Sequence, residues 1–190
     1  MNNYADNVEI NKFGGRFKYS KINQLIDRVE NGVTSNITKV IIRRDMKALL
    51  NQFAQYELCF GNQFNINPAG YNIKSTGFTV SGSSSIAYFT DIPNKDAAGN
   101  LDGSMKGAIS VVSKNNKDEQ VVLIKSAGSV DYKKGEIILN SINIASTQAS
   151  NNIIEIQAYP ESNDVVGLKD LFVSFDVSNS SINMLSLIHI

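Results

Sequence analysis

The sequence predicts an α+β fold that is mainly antiparallel β-sheet, with one helix near the N-terminus. Short alternations of apolar and polar residues recur along most of the chain, and polar segments rich in Gly, Asn and Ser separate them. Such alternation places every second side chain on one face, as in a half-buried strand. Helical spacing is clear only once, so about nine strands accompany one helix, which favours an antiparallel sheet over a doubly wound one.

The first segment of interest sets a glycine pair between aromatic residues: Phe13, Gly14, Gly15, Arg16 and Phe17. Glycine pairs permit a positive φ and a close backbone approach. The segment could therefore form a packed loop or bulge, or an anion-binding nest of backbone amides. The packed loop is favoured, because no strand, lysine or helix stands in the arrangement of a phosphate-binding loop.

The predicted helix comes next. Ser20 can cap its N-terminus, and Asn31 and Gly32 can end it. Its apolar stripe consists of Ile22, Leu25, Ile26 and Val29. We expect this stripe to cover the strand that follows, residues 36–44, so that residues 1–50 form a loop-helix-strand unit.

Residues 51–184 are predicted to form a β-rich region that packs with the first unit as one structural module. Before it, Arg43 and Arg44 close the preceding strand as a solvated or interface-facing end rather than a phosphate site, and residues 45–51 form a short helical turn. Gly135 is expected to take the left-handed conformation in a bulged turn. The predicted strands are residues 55–60, 78–80, 86–92, 108–113, 121–125, 130–132, 137–144, 153–158 and 171–177.

The longest polar loop, residues 94–106, begins after Pro93, which lacks a ladder donor and is expected to end a strand. The loop carries Asp96, Asn100 and Asp102, whose oxygens could ligate calcium. A calcium loop needs ligands at a fixed spacing, a glycine at its sharp turn and a late glutamate, and this loop lacks that pattern. A mobile surface loop without a metal ion is therefore predicted.

The last six residues, 185–190, read LSLIHI, which is also the translation of the end of a common transposon-based sequencing adapter. We expect these residues to be an adapter-derived artefact and the natural chain to continue differently after Met184. Met1 is expected to be an internal methionine or an alternative start, because no signal or obvious first strand follows it.

Composition and charge exclude several classes of function. Lys and Arg (18) balance Asp and Glu (18), so no long-range field favours nucleic acid or an anionic membrane as a partner. No stretch approaches the roughly 18 apolar residues of a membrane span. Cys59 is the single cysteine, and the single histidine, His189, lies in the suspect tail. Triads that use histidine and zinc sites built from His or Cys are therefore excluded, and no cofactor is expected.

Two groups of side chains could carry a site in principle. Glu155 and Asp176, on strands expected to be neighbours, could act as a carboxylate pair in glycoside hydrolysis, although solvent-facing charges produce such pairs routinely. Strand tyrosines could line a sugar-binding face, although tyrosine is common in strands. These tyrosines are Tyr56, Tyr88, Tyr132 and Tyr159. No catalytic, cofactor-binding or metal-binding residue is predicted.

Six segments, taken in order, resemble a known family. They are FGGRFKYSKINQLID (13–27), TSNITKVIIRRDM (34–46), KSTGF (74–78), VDYKKGEIILNSINI (130–144), AYPESNDV (158–165) and FVSFDVSNSSINM (172–184). The ordered set resembles the C-terminal portion of the baseplate wedge subunit of T-even-like contractile-tailed bacteriophages, which is related to the baseplate J-like family. The resemblance covers nearly all of residues 4–184.

The resemblance implies a structural protein rather than an enzyme. Members of the family join as dimers into a ring around the tail hub, contact other wedge proteins, and rearrange when the baseplate switches. It therefore implies that this chain binds itself and other wedge proteins in the virion tail baseplate, after assembly in the host cytoplasm. Members are much longer, so a fragment lacking an N-terminal part is expected. The alternative is a tail-fibre-like or glycan-binding β module, which the same β-rich composition would suit.

Overall fold

The computed structural model describes residues 10–29, 32–115, 117, 119–168 and 173–183. These residues form α1 (Tyr19–Asp27), a 3₁₀ turn (Ser150–Asn152) and strands β1 (Arg16–Phe17), β2 (Ile42–Lys47), β3 (Phe53–Cys59), β4 (Lys74–Ser75), β5 (Phe78–Val80), β6 (Ala87–Pro93), β7 (Lys106–Lys114), β8 (Gln120–Asp131), β9 (Glu136–Thr147), β10 (Ile153–Ala158) and β11 (Val165–Val166). The mainly antiparallel β architecture with one helix is thus confirmed in outline.

The chain divides into two compact units. One combines the segment up to Thr38 with the segment from Asp164 onwards, and the other runs from Lys39 to Asn163. The predicted boundary at residue 50 differs from this division, because α1 and β2 fall in different units. The first unit joins segments that are distant in sequence, which local periodicity does not reveal.

In the first unit, the helix begins and ends differently from the prediction. Lys18 is the N-cap and contributes no side-chain hydrogen bond, so the expectation that Ser20 caps the helix is wrong. The Asp164 carboxylate instead accepts a hydrogen bond of 2.8 Å from the Tyr19 N–H. The helix ends at Asp27, before the predicted Asn31–Gly32 stop, of which Asn31 lies outside the described residues.

Strand β1 pairs with β11 in a two-stranded antiparallel sheet. Backbone bonds from Gly14 N–H to Leu168 O (3.1 Å) and from Gly167 N–H to Gly15 O (2.8 Å) extend this pairing. A Cβ on Gly15 would lie 2.2 Å from the Ile10 carbonyl oxygen, so a glycine is required there. This is the packed loop that the sequence favoured.

The predicted strand at residues 171–177 is wrong over its described part. None of residues 173–177 is in a strand, and Leu171 lies outside the described residues. The Asp176 carboxylate accepts hydrogen bonds from the Ser178 hydroxyl (2.6 Å) and the Asn179 N–H (3.2 Å). Such local side-chain bonds favour a turn over a ladder, and they override the alternation.

In the second unit, β5 to β9 follow one another as a meander that closes into a ring, because β9 also pairs with β5. Every adjacent pair in this ring of five is antiparallel. Straight strands cannot satisfy an odd number of antiparallel neighbours, so at least one strand must bend. Register shifts in the β7–β8 pairing supply irregularities of the kind that bend strands.

The remaining strands extend this ring. Strand β3 pairs with β9, and β10 lies between β2 and β4, which in turn pairs with β6. Stacking of Phe78 on Phe89 (4.5 Å between ring centroids) and an edge contact of Phe60 with Phe64 (5.1 Å) help to fill the core. Its largest fully buried side chains also include Tyr132, Ile73, Ile109, Ile137, Leu139, Ile144 and Ile154.

Several boundaries in this unit correct the prediction. Strand β2 covers Ile42–Lys47 instead of residues 36–44, so the helical turn predicted from Asp45 is wrong over its first three residues. Pro93 belongs to β6, opposite Gly107, and does not stop it one residue earlier. The strands predicted at 121–125 and 130–132 are one long strand, β8, interrupted by bulges rather than by a loop.

Candidate protein-interaction surface

Strand β8 has a free edge over its first two thirds. Strand β9 pairs with β8 only through Gly128–Asp131. Over Gln120–Ala127, strand β7 is therefore the single neighbour of β8 within the described residues. Unpaired backbone groups on such an edge can form a ladder with another strand.

This free edge is also apolar. Val121 is 42% exposed, Val122 is 51% exposed and Leu123 is 38% exposed. Successive residues point to opposite faces of a strand, so here both faces of β8 contact solvent. Native edge strands are normally protected by charges, prolines or short length, and none of these occurs within residues 121–124.

A bulge carries β8 away from β9. Between the pairs Ile109↔Gly128 and Val111↔Ile124, β8 uses four residue steps where β7 uses two. The fully buried Ser110 hydroxyl donates to the Lys125 carbonyl at 2.7 Å, which satisfies a backbone group within the bulge. The free edge is therefore built into the packing of β7 against β8.

The divergence opens a groove of about 280 Å³ beside the edge. Apolar side chains line much of it: Phe53, Val80, Ile124, Ala127 and Ile142. Asn140 Nδ2 donates to the Ser126 carbonyl at 3.3 Å in the same groove. The Asn143 Oδ1 atom is buried and accepts no hydrogen bond within the described structure. The groove can thus receive an apolar side chain and offers an acceptor to an incoming N–H group.

The tyrosines that could line a sugar-binding face do not form one. Tyr132 is 0% exposed, so its ring cannot stack on a sugar. Tyr56 is half-buried, and its hydroxyl accepts a hydrogen bond of 2.9 Å from the Leu49 N–H. Tyr88 and Tyr159 are half-buried in β6 and just after β10.

The possible carboxylate pair is also not formed as expected. Strand β10, which carries Glu155, has β2 and β4 as neighbours, and Asp176 is in no strand. The Glu155 carboxylate instead lies 3.3 Å from the Arg43 guanidinium, which also contacts Asp45 at 3.1 Å. Arg43 thus pairs with neighbouring strand carboxylates.

The acidic residues of the loop at 94–106 bind their own backbone. Asp96 Oδ1 accepts from the N–H groups of Ala98 and Asn100, both at 2.9 Å. Asp102 Oδ1 accepts from the Ser104 hydroxyl and N–H, and these bonds lower the pKa of the Asp102 carboxyl. Within the described ranges, no three His, Cys, Asp or Glu side chains are grouped to hold a metal ion.

The apolar edge of β8 was not singled out from the sequence, although a signal exists. Residues 121–124 read VVLI, a run without the polar alternation of a half-buried strand. Such a run normally indicates a strand buried on both faces. Only the structure shows that the run is exposed.

Of the helices that the structure describes, none is long and apolar enough to span a bilayer. The chain matches no protein-family model and no curated protein sequence. The resemblance to baseplate wedge subunits therefore stays a prediction.

Proposed function

We propose that the chain is a structural subunit of a bacteriophage baseplate wedge, which works by binding copies of itself and other wedge proteins. The exposed apolar edge of β8 carries this proposal, because it suits a strand that another protein covers. The ordered resemblance of six segments to wedge subunits supports the same reading. In this role the chain performs no catalysis and resides in the tail baseplate of the virion.

The proposed contact is strand addition. A partner strand would form backbone hydrogen bonds along Gln120–Ala127, and one of its apolar side chains would enter the groove beside Phe53 and Ile142. Backbone bonds supply affinity in this mode, whereas the groove supplies specificity. Burial of Val121, Val122 and Leu123 would remove exposed apolar surface, which favours association by about 25 cal/mol per Å².

Replacement of Val122 by lysine is expected to abolish self-association and binding to co-expressed wedge proteins. A charge on an edge strand opposes pairing with another strand. Because Val122 is half exposed, the free energy of unfolding should change by no more than about 0.5 kcal/mol. Light scattering coupled to size-exclusion chromatography, over a range of protein concentrations, measures the association.

Ile138→Lys is the matched control. Ile138 is 45% exposed, but β9 already has a strand on each side at this residue, Glu57 in β3 and Ser129 in β8. The same charge there should leave association unchanged. Equal loss of association in both variants would contradict the assignment to β8. A wild-type chain that stays monomeric and binds polysaccharide on a glycan array would replace the proposal with the glycan-binding alternative.

A further inference from the structure

A second surface, in the unit that contains α1, concentrates positive charge. A cleft of about 230 Å³ is lined by Lys12, Gly14, Arg16 and Lys18. Three of its four lining residues are therefore cationic, although the whole chain has a formal net charge of zero. Like charges that line one cleft repel one another, and this repulsion is relieved when an anion binds between them.

The backbone explains why these side chains share one cleft. Along residues 14–18, Gly15 and Phe17 are buried, whereas Arg16 and Lys18 are exposed on the opposite face of the extended segment. A tight turn, with bonds from Lys12 N–H to Ile10 O (2.8 Å) and from Gly15 N–H to Lys12 O (2.9 Å), precedes it. Gly14 has a φ of +65° in this turn. The turn and the strand alternation together bring the cations to the cleft.

The backbone amides are not the anion-binding groups. The Gly14 N–H donates to Leu168 O and the Gly15 N–H donates to Lys12 O, so both are engaged within the fold. The Tyr19 N–H at the start of α1 donates to the Asp164 carboxylate. An anion in the cleft would therefore interact with the side chains of Lys12, Arg16 and Lys18 rather than with a nest of N–H groups.

The spacing of the charges fits an extended acidic segment. Arg16 and Lys18 are two residues apart, and side chains two apart on an extended chain are about 7 Å apart. Acidic residues at every second position of a partner strand have the same period. Within the described residues β1 has β11 as its single strand neighbour, so its other edge can accept a strand. Arg16 can also hold a carboxylate by two parallel hydrogen bonds.

We infer that this cleft binds an acidic, extended segment of a partner protein, in which carboxylates alternate with uncharged residues. The segment adds to the open edge of β1 and places its carboxylates against Lys12, Arg16 and Lys18. This contact is distinct from the one at β8. It rests on different residues and requires a partner of different chemistry.

The test uses a fluorescent peptide in which glutamate and threonine alternate, and the full chain, with binding followed by fluorescence anisotropy at low ionic strength. Arg16→Glu is expected to weaken binding at least tenfold, because it replaces an attraction by a repulsion. Lys133→Glu changes the net charge equally at an exposed turn outside the cleft, and it should leave the affinity unchanged. Added salt should weaken binding of the wild-type chain.

A second peptide of the same composition, with its glutamates in one block, separates strand addition from simple charge attraction. The inference requires the alternating peptide to bind more tightly. Equal affinity for both peptides, or equal affinity of the wild-type chain and Arg16→Glu, would overturn it. So would tighter binding of a single-stranded DNA of matched charge. Because Val122→Lys leaves the cleft intact, failure of the wedge proposal and failure of this inference are distinguishable.

Discussion

Replacement of Gly135 by alanine is expected to lower the free energy of unfolding by more than about 3 kcal/mol. Gly135 has a φ of +66° in the turn between β8 and β9, where an alanine is strained by about 1–2 kcal/mol. A Cβ would also lie 1.9 Å from the Asn62 carbonyl oxygen. That oxygen belongs to the backbone, so relief of the clash requires the chain at Asn62 to move.

Movement at this turn would disturb further hydrogen bonds. The Gly135 carbonyl accepts from the Phe60 N–H at 2.8 Å, and the Gly135 N–H donates to Asp131 O at 2.9 Å. Gly82→Ala is the matched control, because Gly82 has a φ of +84° and nothing lies within 4 Å of its Cβ position. It should cost only about 1–2 kcal/mol. Urea denaturation followed by circular dichroism measures both losses, and equal losses would contradict a role for the clash.

Gly135 also illustrates what local sequence can predict. The pattern Lys133-Lys134-Gly135 between two alternating segments indicated a left-handed glycine, and the structure confirms it. Alternation likewise located β3, β5, β7 and β10 to within a few residues. In each case the signal lies within a few neighbouring residues, because backbone conformation and face alternation are local properties.

The arrangement of the strands could not be predicted in the same way. Closure of the ring depends on β5 meeting the end of β9, as in the pair Phe78↔Thr147, and these residues are distant in sequence. The free edge of β8 depends on the bulge that Ser110 satisfies, which no run of residues encodes alone. At residues 173–177, alternation was misleading because Asp176 forms a local turn. Pairing is decided by which edges meet.

A buried polar pair was equally invisible from the sequence. Asp91 and Tyr132 are both fully buried, and the Tyr132 hydroxyl donates to Asp91 Oδ2 at 2.7 Å. Asp91 Oδ1 accepts from the Ile73 N–H at 2.7 Å. The carboxylate thus joins the end of β6 to the segment before β4 and to the turn after β8. Buried polar groups are stable only when they are hydrogen-bonded in this way.

Tyr132→Phe is expected to lower the free energy of unfolding by about 2–3 kcal/mol at neutral pH, because Asp91 loses one of its two buried donors. Tyr56→Phe is the control, since the Tyr56 hydroxyl contacts only the exposed Leu49 N–H among the bonds described above, and it should cost about 0.5–1 kcal/mol. Equal losses in the two variants, measured by urea denaturation, would argue against a special contribution from the buried pair.

The same pair predicts a dependence of stability on alkaline pH. Burial, followed by the nearby Asp91 carboxylate, raises the pKa of Tyr132 well above its ordinary value of 10.0 in the folded chain. Below pH 10 both folded and unfolded chains keep the phenol proton, so the full contribution is present. Above pH 10 only the unfolded chain loses it, and stability falls by up to about 1.4 kcal/mol per pH unit.

Tyr132→Phe has no phenol at this position, so its unfolding free energy should lack this part of the alkaline decline. All other titrating groups are shared by the two proteins and cancel in their difference. We therefore expect the stability advantage of the wild-type chain to be constant between about pH 7 and 9.5 and to shrink as the pH rises further. A difference that stays constant up to about pH 11.5 would mean that Tyr132 titrates alike in the folded and unfolded chains.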